Sequence, residues 1–217
     1  KETPEIVNLA SIYQIMVLKE YPINIMMTGL PKNVSELQNN DVLTFLLRSG
    51  RVPLGPLDLF DIKYRYQKAF ERGNKEIDNN TLMKITKLTK GYAYAFQDLG
   101  YYVWQNSDNK VTEESVEKSI PLFKNDLFRN AYTKILSELS PTDRKFLFIM
   151  ANCPKNIVEI SYIREQMKKS SNYISQYRQR LMDSQVIVDA GYGKVTFSLP
   201  FMKDFLLEAA ELYGIEE

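Results

Sequence analysis

The side chains with chemistry to offer gather towards the end of the chain. Between Arg144 and Lys194 stand nine basic residues: Arg144, Lys145, Lys155, Arg164, Lys168, Lys169, Arg178, Arg180 and Lys194. Only four acids, Glu159, Glu165, Asp183 and Asp189, oppose them, an excess of five in a chain whose net charge is +1. A local excess of this kind is what contact with a phosphate backbone requires. The spacing predicts a helix from about Asn172 to Asp183, capped by Ser170 or Ser171. That helix turns Ile174, Tyr177 and Leu181 inward and leaves Ser171, Asn172, Ser175, Gln176, Arg178 and Gln179 outside. Its early polar positions suit base edges in a major groove. Beyond it, a turn offers Tyr192 and Lys194 to a backbone or a minor groove. A protein-contact role for the same surface stays open. Glu208, Glu211, Glu216 and Glu217 near the C-terminus could mask its charge.

Other chemistries are excluded by residue types. The sequence has no histidine and one cysteine, which removes His-based triads and the common zinc sites. It has neither a G-x-x-x-x-G-K-[ST] phosphate loop nor a G-x-G-x-x-G fingerprint. No catalytic centre is recognisable. Cys153 alone forms no intramolecular disulfide, which points to a reducing, cytoplasmic compartment. No apolar run is long enough for a bilayer, so a membrane is not an expected partner, and no signal peptide opens the sequence. The first residue is Lys1 rather than Met, so a fragment of a longer protein is expected.

At 217 residues, 44% hydrophobic and 25% charged, the chain has the composition of an ordinary globular protein. A helix is predicted over Pro4 to Lys19. The apolar run Ile23–Thr28, between Pro22 and Gly29-Leu30-Pro31, reads as a buried strand of a parallel sheet. Thr28 then sits at the strand's carboxyl end, where α/β sheets bind ligands, or it bonds the turn backbone. Ser35 to Leu47, carrying Val42, reads as a helix that Asn39-Asn40 could break. Val52 to Leu57, with its prolines, reads as extended. Four helices without strands follow. Asp58 caps the first and Gly73 stops it; the second runs from about Asn80 to Lys90, the third from Tyr92 to Gln105. Thr112 caps the fourth, which Pro121 interrupts, starting a new helix. Ser140-Pro141-Thr142-Asp143 opens another helix, and a further one runs from about Ser161 to Lys168. After the basic helix come a β-hairpin, Val186–Val188 with Val195–Leu199, and a last helix from Phe201 to Leu212. Three helices closed by a hairpin read as a winged helix-turn-helix.

Two parts of the chain resemble a known family. Pro22–Pro31 with Val52-Pro53-Leu54-Gly55-Pro56-Leu57, and then Gly91-Tyr92-Ala93-Tyr94-Ala95-Phe96-Gln97, is similar to the later part of an AAA+ P-loop ATPase. The archaeal origin-recognition-type and STAND-like ATPases are the relatives in question. Tyr177–Leu181 through Gly191–Pro200 resembles the winged helix that closes those proteins. The resemblance implies a mostly α chain: a remnant of the α/β ATPase sheet over 1–57, a helical lid over 58–138 and a winged-helix domain over 139–217. It implies that the phosphate loop and Walker B acids precede this sequence. No cofactor is then expected here, while ATP and Mg are expected for the full-length parent. Thr28 falls where the family has a γ-phosphate sensor, and Arg48 and Arg51 near an arginine finger. Tyr92 stands in a lid run, Gly-Tyr-Ala-Tyr, that lacks the family's Arg or Pro, and it is placed to touch a nucleotide base. The implied function couples nucleotide state, through lid and winged helix, to duplex DNA or a protein partner. A stand-alone winged-helix regulator with a helical, self-associating N-terminal half and an ATP-independent protein-interaction module are the alternatives.

Overall fold

The structure is a computed structural model that describes residues 3–213 apart from 30, 40 and 42, and only the backbone of 31–33, 36 and 211–213. The expected roles of Leu30, Asn40, Val42, Glu211, Glu216 and Glu217 therefore lie outside the described residues or side chains. The chain divides between Leu54 and Gly55 into two units.

In the first unit, Pro4 at the first turn and Glu5 beside it start helix α1, Pro4–Leu18. Its sequence is apolar almost all round, and it buries only Ala10 while Leu9, Ile12, Ile15 and Leu18 stay exposed. The expected strand at Ile23–Thr28 is not formed. Residues 21–29 have no regular secondary structure, and Met26 is 92% exposed. A strand needs a neighbour to take its hydrogen bonds, and among the described residues of this unit there is none. The expected helix over Ser35–Leu47 is split. Helix α2, Pro31–Gln38, stops at Asn39, and a 3-10 turn occupies Thr44–Arg48. Ala10, Leu43 and Leu46 form a small core, and Gln38 closes it by donating to the Leu46 carbonyl at 3.3 Å.

The second unit is built on well-capped helices. Asp58 accepts from the Phe60 and Asp61 amides and opens α3, Leu59–Arg72, which buries Ile62, Tyr66 and Phe70. Helix α3 ends at Gly73, where a Cβ would lie 1.7 Å from the Trp104 ring. Helices α4, Asn79–Leu88, and α5, Ala93–Gln105, follow. A reciprocal Thr112/Ser115 capping box starts α6, Glu113–Leu127. Pro121 does not break α6, contrary to expectation. It lies on the exposed side, where water can reach the carbonyl of exposed Glu117 that loses its partner. A π turn, Phe128–Tyr132, leads into α7, Thr133–Glu138. Nor is this part strandless, because β1, Glu76–Ile77, pairs in parallel with β2, Lys110–Val111.

The same hydrophobic core continues into the C-terminal stretch. Ser140 and Asp143 cap each other at the start of α8, Pro141–Asn152. Next come β3, Val158–Glu159; α9, Ile160–Met167; and α10, Ser171–Asp183. The end is a hairpin of β4, Ile187–Asp189, and β5, Lys194–Phe197, followed by α11, Met202–Tyr213. The hairpin was legible; the two-residue β3, which makes it an antiparallel sheet of order β3-β5-β4, was not. Tyr132, fully buried, donates to the Pro200 carbonyl at 2.5 Å, and Lys124 of α6 pairs with Asp204 of α11 at 2.8 Å. Among the described residues no helix is long and apolar enough to cross a membrane.

Candidate nucleic-acid interface

Helices α9 and α10 are joined by three residues, Lys168-Lys169-Ser170. Lys168 takes a left-handed conformation (φ 51°) that closes α9, and the Ser170 hydroxyl accepts from the Tyr173 amide to open α10. The tight turn therefore puts two lysines at the amino end of α10. Ile174 and Leu181 fix the buried face of that helix. Ser171, Asn172, Ser175, Gln176, Gln179 and Arg180 are exposed at a helical spacing that makes one continuous stripe. The stripe carries hydroxyl and amide groups that can donate and accept, and none of its members belongs to the core.

Two arginines of the expected set are committed elsewhere. Arg178 is half-buried and pairs with Asp189 at the end of β4, 2.5 Å away. Arg180 donates to Asp143 of α8 at 2.8 Å and lies 5.3 Å over the Tyr177 ring. A third, Arg144, donates to the Leu136 and Ser137 carbonyls. Lys168, Lys169 and Lys194 are exposed and have no acidic partner among the described residues; Lys169 sits 5.4 Å over the Tyr173 ring. Tyr173 and Tyr177 act as a pair, with ring centroids 4.8 Å apart. Side-chain hydrogen bonding between the two hydroxyls lowers the Tyr173 phenol from its usual range and raises that of Tyr177.

The β4–β5 turn is held from within. Asp189 accepts from the Gly191 amide at 2.8 Å, and the Ala190 amide donates to the Lys194 carbonyl at 3.0 Å. Gly191 (φ 109°) and Gly193 (φ 67°) supply the left-handed backbone. Tyr192 stands between them fully exposed. Arg178 ties α10 to Asp189 at the start of this turn.

The residues expected near a nucleotide are placed as follows. Thr28 is exposed in the irregular segment, Arg48 ends the 3-10 turn, and Arg51 is exposed beyond it. Among the described residues none of the three has a side-chain partner. Tyr92, in the second unit, is half-buried before α5, with the Tyr94 and Tyr132 rings 6.2 and 6.5 Å away. Burial pushes its phenol up. Asp143 and Asp189, the anchors of the two arginines, were not singled out from sequence as their partners. The Ser140–Asp143 capping pattern was the only local signal for the first.

Residues 129–206, from the π turn into α11, match a family model described as a domain of unknown function (DUF8462). No curated protein matches the chain. Among solved structures, it is similar to the Walker-type ATPase paby2304 of Pyrococcus abyssi, at 15% identity and a TM-score of 0.55, over 79% of this chain and 48% of that one. The Holliday junction branch migration motor RuvB of Thermotoga maritima matches over 76% of this chain and 51% of its own. Its identity is 15% and its TM-score 0.33, too loose a likeness to argue from.

Proposed function

We propose that the chain is the C-terminal part of an AAA+/STAND-like ATPase; it spans about half the length, 48%, of the Walker-type ATPase whose structure it resembles. In this reading 58–138 is the helical lid and 139–217 a winged helix, and the two couple nucleotide state to duplex DNA. ATP and Mg²⁺ belong to the whole protein. The residues present do not make a cradle for them: the sequence has no phosphate loop, and the described residues have no cluster of three metal-ligating side chains.

The observation that carries the DNA reading is the exposed polar stripe of α10 with Lys168 and Lys169 at its amino end and Tyr192 and Lys194 on the adjoining turn. Helix–turn–helix readers present the same parts, polar side chains early on the second helix and cations at its flank. Fluorescence anisotropy of a mixed-sequence duplex, titrated at increasing salt, tests it. The expected result is binding that weakens as salt rises, with a log–log slope of roughly −2 to −3 for three phosphate contacts. A protein partner is the second reading. It is favoured by Arg178 and Arg180 being used internally, and the absence of any duplex binding at low salt would select it.

A further inference from the structure

Helix α5 carries a surface feature that neither lid packing nor DNA contact uses. Tyr94, Gln97, Asp98 and Tyr101 recur at three- and four-residue spacing, so they share one face of the helix and line a depression of about 290 Å³. Tyr101 is 57% exposed and rests edge-on against Tyr102, with centroids 5.2 Å apart. The Tyr94 hydroxyl accepts from the Asn130 side chain at 3.4 Å. Two oriented rings thus stand about two turns apart with a carboxylate between them.

The carboxylate is uncompensated. Asp98 Oδ2 is walled in with no hydrogen-bond partner, and among the described residues no cation pairs with Asp98. The neighbouring acid, Asp126, is already satisfied, holding the Tyr102 hydroxyl and pairing with Arg129 at 3.0 Å. Arg129 is therefore spent on the other acid. A buried, unpaired carboxylate oxygen is costly, and the residue that carries it lines the depression beside the two tyrosines. A positive charge is what both groups attract, the rings by their negative faces and the carboxylate directly.

We propose that this depression is a binding subsite for an organic cation, the ammonium or guanidinium end of a lysine or arginine side chain or of a free polyamine. The test is an NMR titration of the full chain, reading the Tyr94 and Tyr101 ring signals, with n-butylammonium, cadaverine and a short lysine- and arginine-containing peptide. Saturable shifts are expected, weakened about tenfold by Asp98→Asn and several-fold by Tyr101→Ala, with Tyr101→Phe close to wild type. Asp98→Asn removes a strained charge and Tyr101 is largely solvated, so both variants should fold. Shifts with the small amines assign the subsite to free cations. Shifts with the peptide alone assign it to a partner's side chain. No saturable shift with any probe, or undiminished binding to Asp98→Asn, overturns the proposal.

Discussion

Arg180 of α10 reaches Asp143 of α8 across 2.8 Å, and Asp143 is 1% exposed. The same carboxylate oxygen accepts from the Ser140 amide and hydroxyl, while the other oxygen has no hydrogen-bond partner. Among the described residues Arg180 is thus the only cation paired with this buried acid, and it docks α10 on α8. Arg180→Ala should destabilise the protein by about 1–3 kcal/mol. The figure is below that for a fully buried pair because the guanidinium is 55% exposed. Urea denaturation checks it. Loss of DNA affinity in that variant would report on folding before it reported on contact.

Gly73 faces Trp104 so closely that Gly73→Ala must displace the indole, which stacks on Phe70 at 5.8 Å. Overpacking of this kind costs about 1–3 kcal/mol. A fall in Tm of several degrees, measured by thermal unfolding, is expected.

Burial, and secondarily the charge of Asp126, raises the Asp98 carboxyl from 3.8 to about 6. The folded value lies above the unfolded one, so the folded state holds this proton more tightly. The stability it contributes is fully present below about pH 4 and is lost as pH rises through about 6. Asp98→Asn should therefore be more stable than wild type at pH 8, by about 1 kcal/mol after allowance for solvent screening of a partly exposed group. At pH 4 the difference should be much smaller. Denaturation curves of both proteins at the two pH values provide the comparison.

Tyr192 buries nothing and its turn is held by Asp189 and the flanking glycines, so Tyr192→Ala should leave stability unchanged. If the turn meets nucleic acid, the variant should bind it about five- to tenfold more weakly, since one aromatic contact of this kind is worth ~1 kcal/mol or more. Binding and unfolding measured on the same sample separate the two effects.

Helices whose ends are written locally were legible: Asp58, Thr112, Ser140 and Ser170 each cap the helix that the sequence assigned them. The hairpin and the exposed face of α10 were legible too, from alternation and period. What failed depends on partners far along the chain. Ile23–Thr28 has strand composition but no neighbouring strand among the described residues of its unit, whereas Val158–Glu159 becomes a strand only because β5 lies beside it. The intramolecular partners of Arg178 and Arg180 were hidden because their acids, Asp189 and Asp143, stand 11 and 37 positions away. Pro121 misled because only the fold shows that it faces water.

The central claim, that the α9–α10 turn and the α10 stripe meet a DNA backbone, is tested most directly on Lys168 and Lys169, which support no core contact. Duplex affinity of wild type and of a Lys168→Ala/Lys169→Ala variant should be measured by anisotropy between about 50 and 200 mM salt. The account predicts wild-type binding that weakens with salt, and in the variant a loss of affinity together with a log–log slope shallower by about 2. Equal affinity and equal slope in the two proteins, or no binding by wild type at the lowest salt, would contradict it.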